Sequence, residues 1–216
     1  MLGKRDIHQS HAALGIGAMI IFISIVFVAG VAASVLVQIS TELETTTLTS
    51  GQDTITDVSA AIKINGIEGQ NQSGIITKLA IEVCPRAGSP DIDLENVLIE
   101  ISDSITKIVI EYGSSAHVNA SDLNGNILSN GNFGTATTFG INVLQDADGS
   151  CTATTPIINF GDHVFLGIDV SSVFSSNGGL KPRTNVFGAV IIEEGAPGLI
   201  GFTTPSAYSE DIIELQ

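Results

Sequence analysis

From Ala12 to Val37 the chain has no charged side chain and almost no polar one: Ala12-Ala-Leu-Gly-Ile-Gly-Ala-Met-Ile-Ile-Phe-Ile-Ser-Ile-Val-Phe-Val-Ala-Gly-Val-Ala-Ala-Ser-Val-Leu-Val37. A helix of about 20 residues, at ~1.5 Å each, crosses the ~30 Å hydrocarbon layer of a bilayer. The run is long enough for that, and longer than the ~7–15 apolar residues of a secretory signal peptide. It predicts a helix that lives in a membrane or among other apolar helices. Leu36, Ile39 and Leu43 keep an i, i+3, i+7 stripe beyond the run, and Ile55, Val58 and Ile62 prolong it. The predicted helix covers residues 13–60. Thr45-Thr-Thr-Leu-Thr49 and Gly51 weaken helix propensity within it.

From residue 61 the period changes. Ala61–Ile67 and Ile76–Val83 alternate apolar with polar residues, as half-buried strands do. Further strands are predicted at Val97–Ser102, Ile105–Tyr112, Thr138–Val143, His163–Val170, Asn185–Ile192, Gly198–Thr203 and Asp211–Leu215. Turn clusters such as Asn124-Gly-Asn126 and Ser176-Asn-Gly-Gly179 separate them. Short strands at regular spacing, with no long helical pattern between them, predict an antiparallel β-sandwich of Ig-like type over residues 61–216. The fold class is α+β.

Charge then narrows the partners. The chain carries 8 basic and 23 acidic residues, a net charge of −15. Nucleic acid is excluded, because phosphate binding needs clustered Lys and Arg. Lys4 and Arg5 precede the apolar run, while Glu42 and Glu44 follow it. Basic residues stay on the cytoplasmic side, so the part after the helix is expected outside the cell.

The segment Ala13-Leu-Gly-Ile-Gly-Ala-Met-Ile-Ile-Phe-Ile, continuing through Val28-Ala-Gly-Val-Ala-Ala-Ser-Val-Leu-Val37, resembles the archaeal flagellins, or archaellins. A weaker likeness lies at Gly195-Ala-Pro-Gly and Phe202-Thr-Thr-Pro-Ser-Ala-Tyr208. The resemblance implies a type IV pilin-like leader, residues 1–12, removed by a prepilin peptidase at the cytoplasmic face. It also implies a subunit held in the membrane before assembly, extracted by the archaellum assembly machinery, and packed with its own copies or with other archaellins into a motility filament outside the cell. Matching the family's Gly-Ile-Gly to Gly15-Ile16-Gly17 puts the cut between Ala12 and Ala13. Ser10-His11-Ala12 stands where the family has two basic residues and Gly, so a cut after His11 stays open. Bacterial type IV pilins carry Glu at the fifth mature position, where this chain has Gly17. Gly15, Gly17, Ile21, Phe22, Ile25 and Phe27 are the expected assembly-helix residues. An adhesive pilin, or a monomeric membrane-anchored binding module, would have the same architecture.

The remaining chemistry is sparse. Asn71-Gln-Ser73 and Asn119-Ala-Ser121 are N-glycosylation sequons in the outer part. Asp146 and Asp148, in Asp146-Ala-Asp-Gly-Ser150, are candidate Ca²⁺ ligands, although no distal Glu completes an EF-hand loop and polar turns are the alternative. No other cofactor is expected. Cys84 and Cys151 are expected to form a disulfide in an oxidising compartment, against the alternative of two buried thiols. No G-x-S-x-G, P-loop or H-E-x-x-H is present, and His163 reads as a strand-end residue. The protein is not expected to be an enzyme.

Overall fold

The structure, a computed structural model, describes residues 3–216, with side chains from Leu14 onward. The chain divides into two units, Met1–Asp53 and Thr54–Gln216.

The apolar run belongs to one continuous helix, α1 (Gly3–Ser59), 57 residues long. It begins ahead of the expected residue 13. The threonines do not interrupt it, because their hydroxyls bond to the helix itself. Thr41, Thr46, Thr47 and Thr49 each donate to the carbonyl four residues earlier at 2.7–3.0 Å, and Thr45 donates to Glu42 O. The last turn closes with Ala60 N–H on Thr56 O at 2.8 Å.

Eleven strands follow: β1 (Ile62–Gln72), β2 (Ile75–Pro85), β3 (Ile92–Asp93), β4 (Leu98–Ser102), β5 (Lys107–Val118), β6 (Thr138–Gln145), β7 (Ile157–Ile158), β8 (His163–Ile168), β9 (Asn185–Ile191), β10 (Gly198–Thr203) and β11 (Ile212–Glu214). Nine of them form one sheet in the order β10-β9-β4-β5-β6-β8-β2-β1-β11, and β3 pairs with β7 apart from it. The sheet curls until its two ends approach. Ala61 bridges Ala196, and a side chain at Gly198 would meet Ile62 and Ile64 at 3.1 Å. Gln216 completes this seam, accepting from Gly201 N–H at 2.9 Å and donating to Leu199 O at 3.3 Å.

The pairings are antiparallel with one exception. β5 and β6 run parallel, Glu111 opposite Thr138 and Val118 opposite Asn142. A parallel pair needs a crossover of a dozen or more residues. Residues 119–137 supply it, carrying the one-turn helices α2 (Ala120–Leu123) and α3 (Ile127–Asn130).

That crossover also explains why β6 does not alternate. Phe139 to Val143 are buried in succession. One face meets the main core of Ile67, Leu79, Ile81, Ile99, Ile110 and Leu166. The other is covered by Leu128 and Phe133, packed on Ala80 and Phe165. Lys78 lies over the Phe133 ring at 4.6 Å and donates to Leu128 O. Where the crossover touches the sheet, Gly140 and Gly167 face each other across β6 and β8. A Cβ on either would stand 2.3 Å from the carbonyl oxygen of Asn132. The glycines leave room for that carbonyl, and the fully buried Asn142 holds it.

Candidate functional site: the apolar helix and the marks on the β-domain

The main functional surface is α1. Ile21, Ile25, Phe22 and Phe27 are each more than 60% exposed in the single chain. Between Leu14 and Ser50 no described side chain is buried. Burying one such residue against water is worth about 1.5–3 kcal/mol, and the helix carries many. Ile21, Ser24, Ile25, Val28 and Ala32 line one shallow apolar strip along it. Ser24 Oγ donates to Ile20 O at 2.8 Å, so its polar atom is satisfied within the helix. A Cβ added at Gly15, Gly17 or Gly30 would meet nothing within 4 Å. Among the described residues no contact requires these glycines, and small residues in apolar helices let another helix approach closely. Ala12 and Ala13 belong to the backbone of α1, but their side chains lie outside those described.

The two sequons have different surroundings. Asn71, at the β1–β2 hairpin, is half-buried and engaged at both ends of its amide. Its Oδ1 accepts from Gly74 N–H at 3.0 Å, and its Nδ2 donates to Glu210 O at 3.1 Å. Asn119 precedes α2, is exposed, and makes no side-chain capping bond.

Cys84 and Cys151 are both free thiols, so the disulfide expected from the sequence is not formed. Their neighbourhoods differ. Cys84 is half-buried on β2, its Sγ 3.5 Å from Asn65 Nδ2. Cys151 is buried within the core, its Sγ 4.0 Å from His117 Nε2. Burial, with Asp146 and Asp162 adding to it, pushes the Cys151 thiol up to about 12. Burial likewise lowers the His117 pKa below its ordinary value, opposed by a Cys151 backbone bond and by Asp146.

Asp146 and Asp148 come together with a third carboxylate, Asp162, and one ligand oxygen from each lies within 4.8 Å of the others. Asp162 was not a sequence candidate. It joins because β6 and β8 pair Gln145 with His163. Neighbours hold the loop in place: Gly149 N–H donates to Asp146, Ala147 N–H and Asn159 N–H to Asp162, and Asn159 Nδ2 to Asp148. Hydrogen bonds from Ser150 and then Asn159 hold the Asp148 carboxyl below the usual carboxylate range. Three hard oxygen donors suit a Ca²⁺ shell of 6–8 oxygens, with water supplying the balance.

His163 Nδ1 sits 3.0 Å from Glu82 Oε1 at the start of β8, a strand-end pair with no hydroxyl or thiol nucleophile bonded to the ring.

A sequence profile of the archaeal-type flagellins matches residues 12–202. Flagellin B2 of Methanocaldococcus jannaschii is 42% identical over 209 residues, covering 94% of each chain. Flagellin B3 of Thermococcus kodakarensis is 34% identical, over 96% of this chain and 98% of its own. Among solved structures, archaeal flagellin FlaB1 of M. jannaschii is 32% identical at a TM-score of 0.63, covering 73% of this chain and 97% of its own. The archaeal flagellum of Methanospirillum hungatei shares the fold at a TM-score of 0.64 and 15% identity, over 92% of this chain and 98% of that one.

Proposed function

The chain belongs to the archaeal-type flagellin family, and we infer from this that it is a structural subunit of the archaellum filament, outside the cell. The observation that carries the reading is α1. An exposed apolar helix of this length has two stable homes, a bilayer or a bundle of its own copies. In the bundle, each helix covers its neighbours' Ile, Val and Phe side chains, and Gly15 and Gly17 allow backbones to meet. Lipid is as apolar as such a bundle, so transfer from membrane to filament gains little from the hydrophobic effect. Extraction therefore calls for a powered assembly machine.

The finer steps belong to the same proposal. Residues 1–12 are a leader, cut between Ala12 and Ala13 by a prepilin peptidase, and the subunit waits in the membrane with residues 61–216 outside. Asn119 is the preferred glycan acceptor on that outer part. Asp146, Asp148 and Asp162 are the residues that would hold a divalent cation. The reaction class is assembly, not catalysis.

Negative-stain imaging of material sheared from cells, with N-terminal sequencing of this chain, tests the reading. Filaments containing the chain with Ala13 at its start are the expected result. Recovery only from membranes, or with Met1 intact outside the cell, would replace it with a membrane-anchored binding module.

A further inference from the structure

The two ends of the β-domain differ in a way that one isolated subunit does not use. β5 and β6 run parallel, so the β4–β5 turn at Asp103–Thr106 lies at the end where these strands begin. The loops at 146–148 and 159–162 lie at the other, where Gln145 pairs with His163. β6 alone separates them by eight residues, about 26 Å at ~3.3 Å each.

At the first end is a cleft of about 370 Å³ lined by Asp103, Ile105, Asn177, Lys181, Arg183 and Asn185. Ile105 is 85% exposed at its rim. Lys181 and Arg183 are exposed there, two of the six basic residues left once Lys4 and Arg5 are set aside from eight. The Asp103 carboxylate is turned inward, accepting from Ile105 N–H, Thr106 N–H and Asn177 Nδ2. The cleft therefore presents apolar surface and positive charge.

The opposite end presents the complement. Phe160 is 81% exposed at the loop tip, with Leu144 exposed on the adjoining end of β6. Asp148 is exposed and Asp146 half-buried in the neighbouring loop. Asn159 binds the Asp148 carboxylate, fixing the acid beside the aromatic ring's own loop. With a divalent cation on the three aspartates, this end would still carry net negative charge.

We propose that the Phe160 loop of one copy seats in the Ile105–Lys181–Arg183 cleft of the next copy in the filament. The ring covers Ile105, and the loop of Asp146–Asp148, whose three-aspartate cluster stays net negative with a divalent cation bound, faces Lys181 and Arg183. The inference rests on the filament reading above. Two different surfaces at opposite ends make a heterologous, head-to-tail contact, the kind that propagates as an open helix when the rotation does not close. It also answers an electrostatic problem. Copies of a chain with net charge −15 repel, and this contact sets scarce cations of one against anions of another.

The test uses full-length chains assembled into filaments. With Cys84 changed to Ser, Phe160→Cys with Ile105→Cys, both on exposed positions, should give covalent ladders of multimers after mild oxidation, while either change alone gives none. A second measurement is the charge swap. Arg183→Glu and Ala147→Arg, the latter on an exposed position of the acidic loop that leaves its three aspartates in place, should each lower filament yield about tenfold, and the double variant should recover it. Filaments that form without ladders, or single charge variants that assemble normally, would overturn the head-to-tail contact while leaving the filament reading intact. Absence of filaments from the unaltered chain would instead bring down the filament reading, and this contact with it.

Discussion

Asn142 clasps the backbone of Asn132 on both sides of its Cα, accepting from its N–H at 2.6 Å and donating to its carbonyl at 2.9 Å. The clasp lies under the crossover that joins the parallel strands β5 and β6. Among the described residues it is the one place where that connection is bonded to the middle of the sheet through a fully buried side chain.

Replacing Asn142 with Leu keeps the volume but leaves the Asn132 N–H and C=O without partners. Each unsatisfied buried group costs about 1–3 kcal/mol, so a loss of about 3 kcal/mol is expected. Gly167→Ala should act on the same carbonyl by collision, since its Cβ would fall 2.3 Å away. Chemical denaturation of the detergent-solubilised chain measures both. A change below about 1 kcal/mol in Asn142→Leu would mean water satisfies the loop instead.

Ile25→Asp should abolish assembly and spare the β-domain. A carboxylate at the middle of an apolar helix costs ~2.5–3.5 kcal/mol for membrane insertion alone. In a bundle every copy repeats the unpaired charge. Filament yield for the full chain, alongside a cooperative unfolding transition for residues 61–216, decides it. Normal filaments would show that the helix is not the assembly core.

Glycan occupancy should favour Asn119. Transfer needs a free side-chain nitrogen, and Asn71 has its Nδ2 bonded to Glu210 O while Asn119 makes no capping bond. Peptide mass mapping should find the added mass on the Asn119 peptide, lost in Asn119→Gln and retained in Asn71→Gln. The reverse assignment would show that the hairpin opens before modification.

The thiols should differ in reactivity. With its thiol pushed up to about 12, Cys151 stays protonated and buried at pH 8, whereas half-buried Cys84 is open to reagent. Iodoacetamide should label Cys84 alone in the folded chain, and both after denaturation without reductant. Recovery of the two peptides joined would restore the bridge that the sequence suggests.

The acidic loop is checked by calorimetry. After chelation, added Ca²⁺ should raise the unfolding temperature of the β-domain, since a ligand bound only to the folded state stabilises it. Asp162→Ala removes one hard donor and should abolish the shift. Equal responses from the variant and the unaltered chain would place any Ca²⁺ elsewhere.

What the sequence discloses depends on how far apart the deciding residues lie. The helix is legible because absence of charge from Ala12 to Val37 is a local property, and strands such as β10 are legible because Leu199 and Gly201 point out while Ile200 and Phe202 point in. The parallel β5–β6 pair is not, since nothing in residues 119–137 states where that segment crosses. Asp162 is hidden for the same reason: only the pairing of Gln145 with His163 brings it to Asp146. β3 and β7, two residues each, are too short for alternation to register.

The hydroxyls of Thr41, Thr45, Thr46, Thr47 and Thr49 have a consequence for how wet the neighbourhood of α1 has to be. Each has given its proton to a carbonyl of its own helix, leaving the Cγ2 methyl as the group a neighbour meets. To another helix these residues are close to isosteric with valine. A stretch that composition marks as hydrophilic can therefore lie against a dry surface, and the waterless zone can extend past Val37 toward Ser50. Glu42 and Glu44 are then the points where solvent or a counter-ion has to reach the axis.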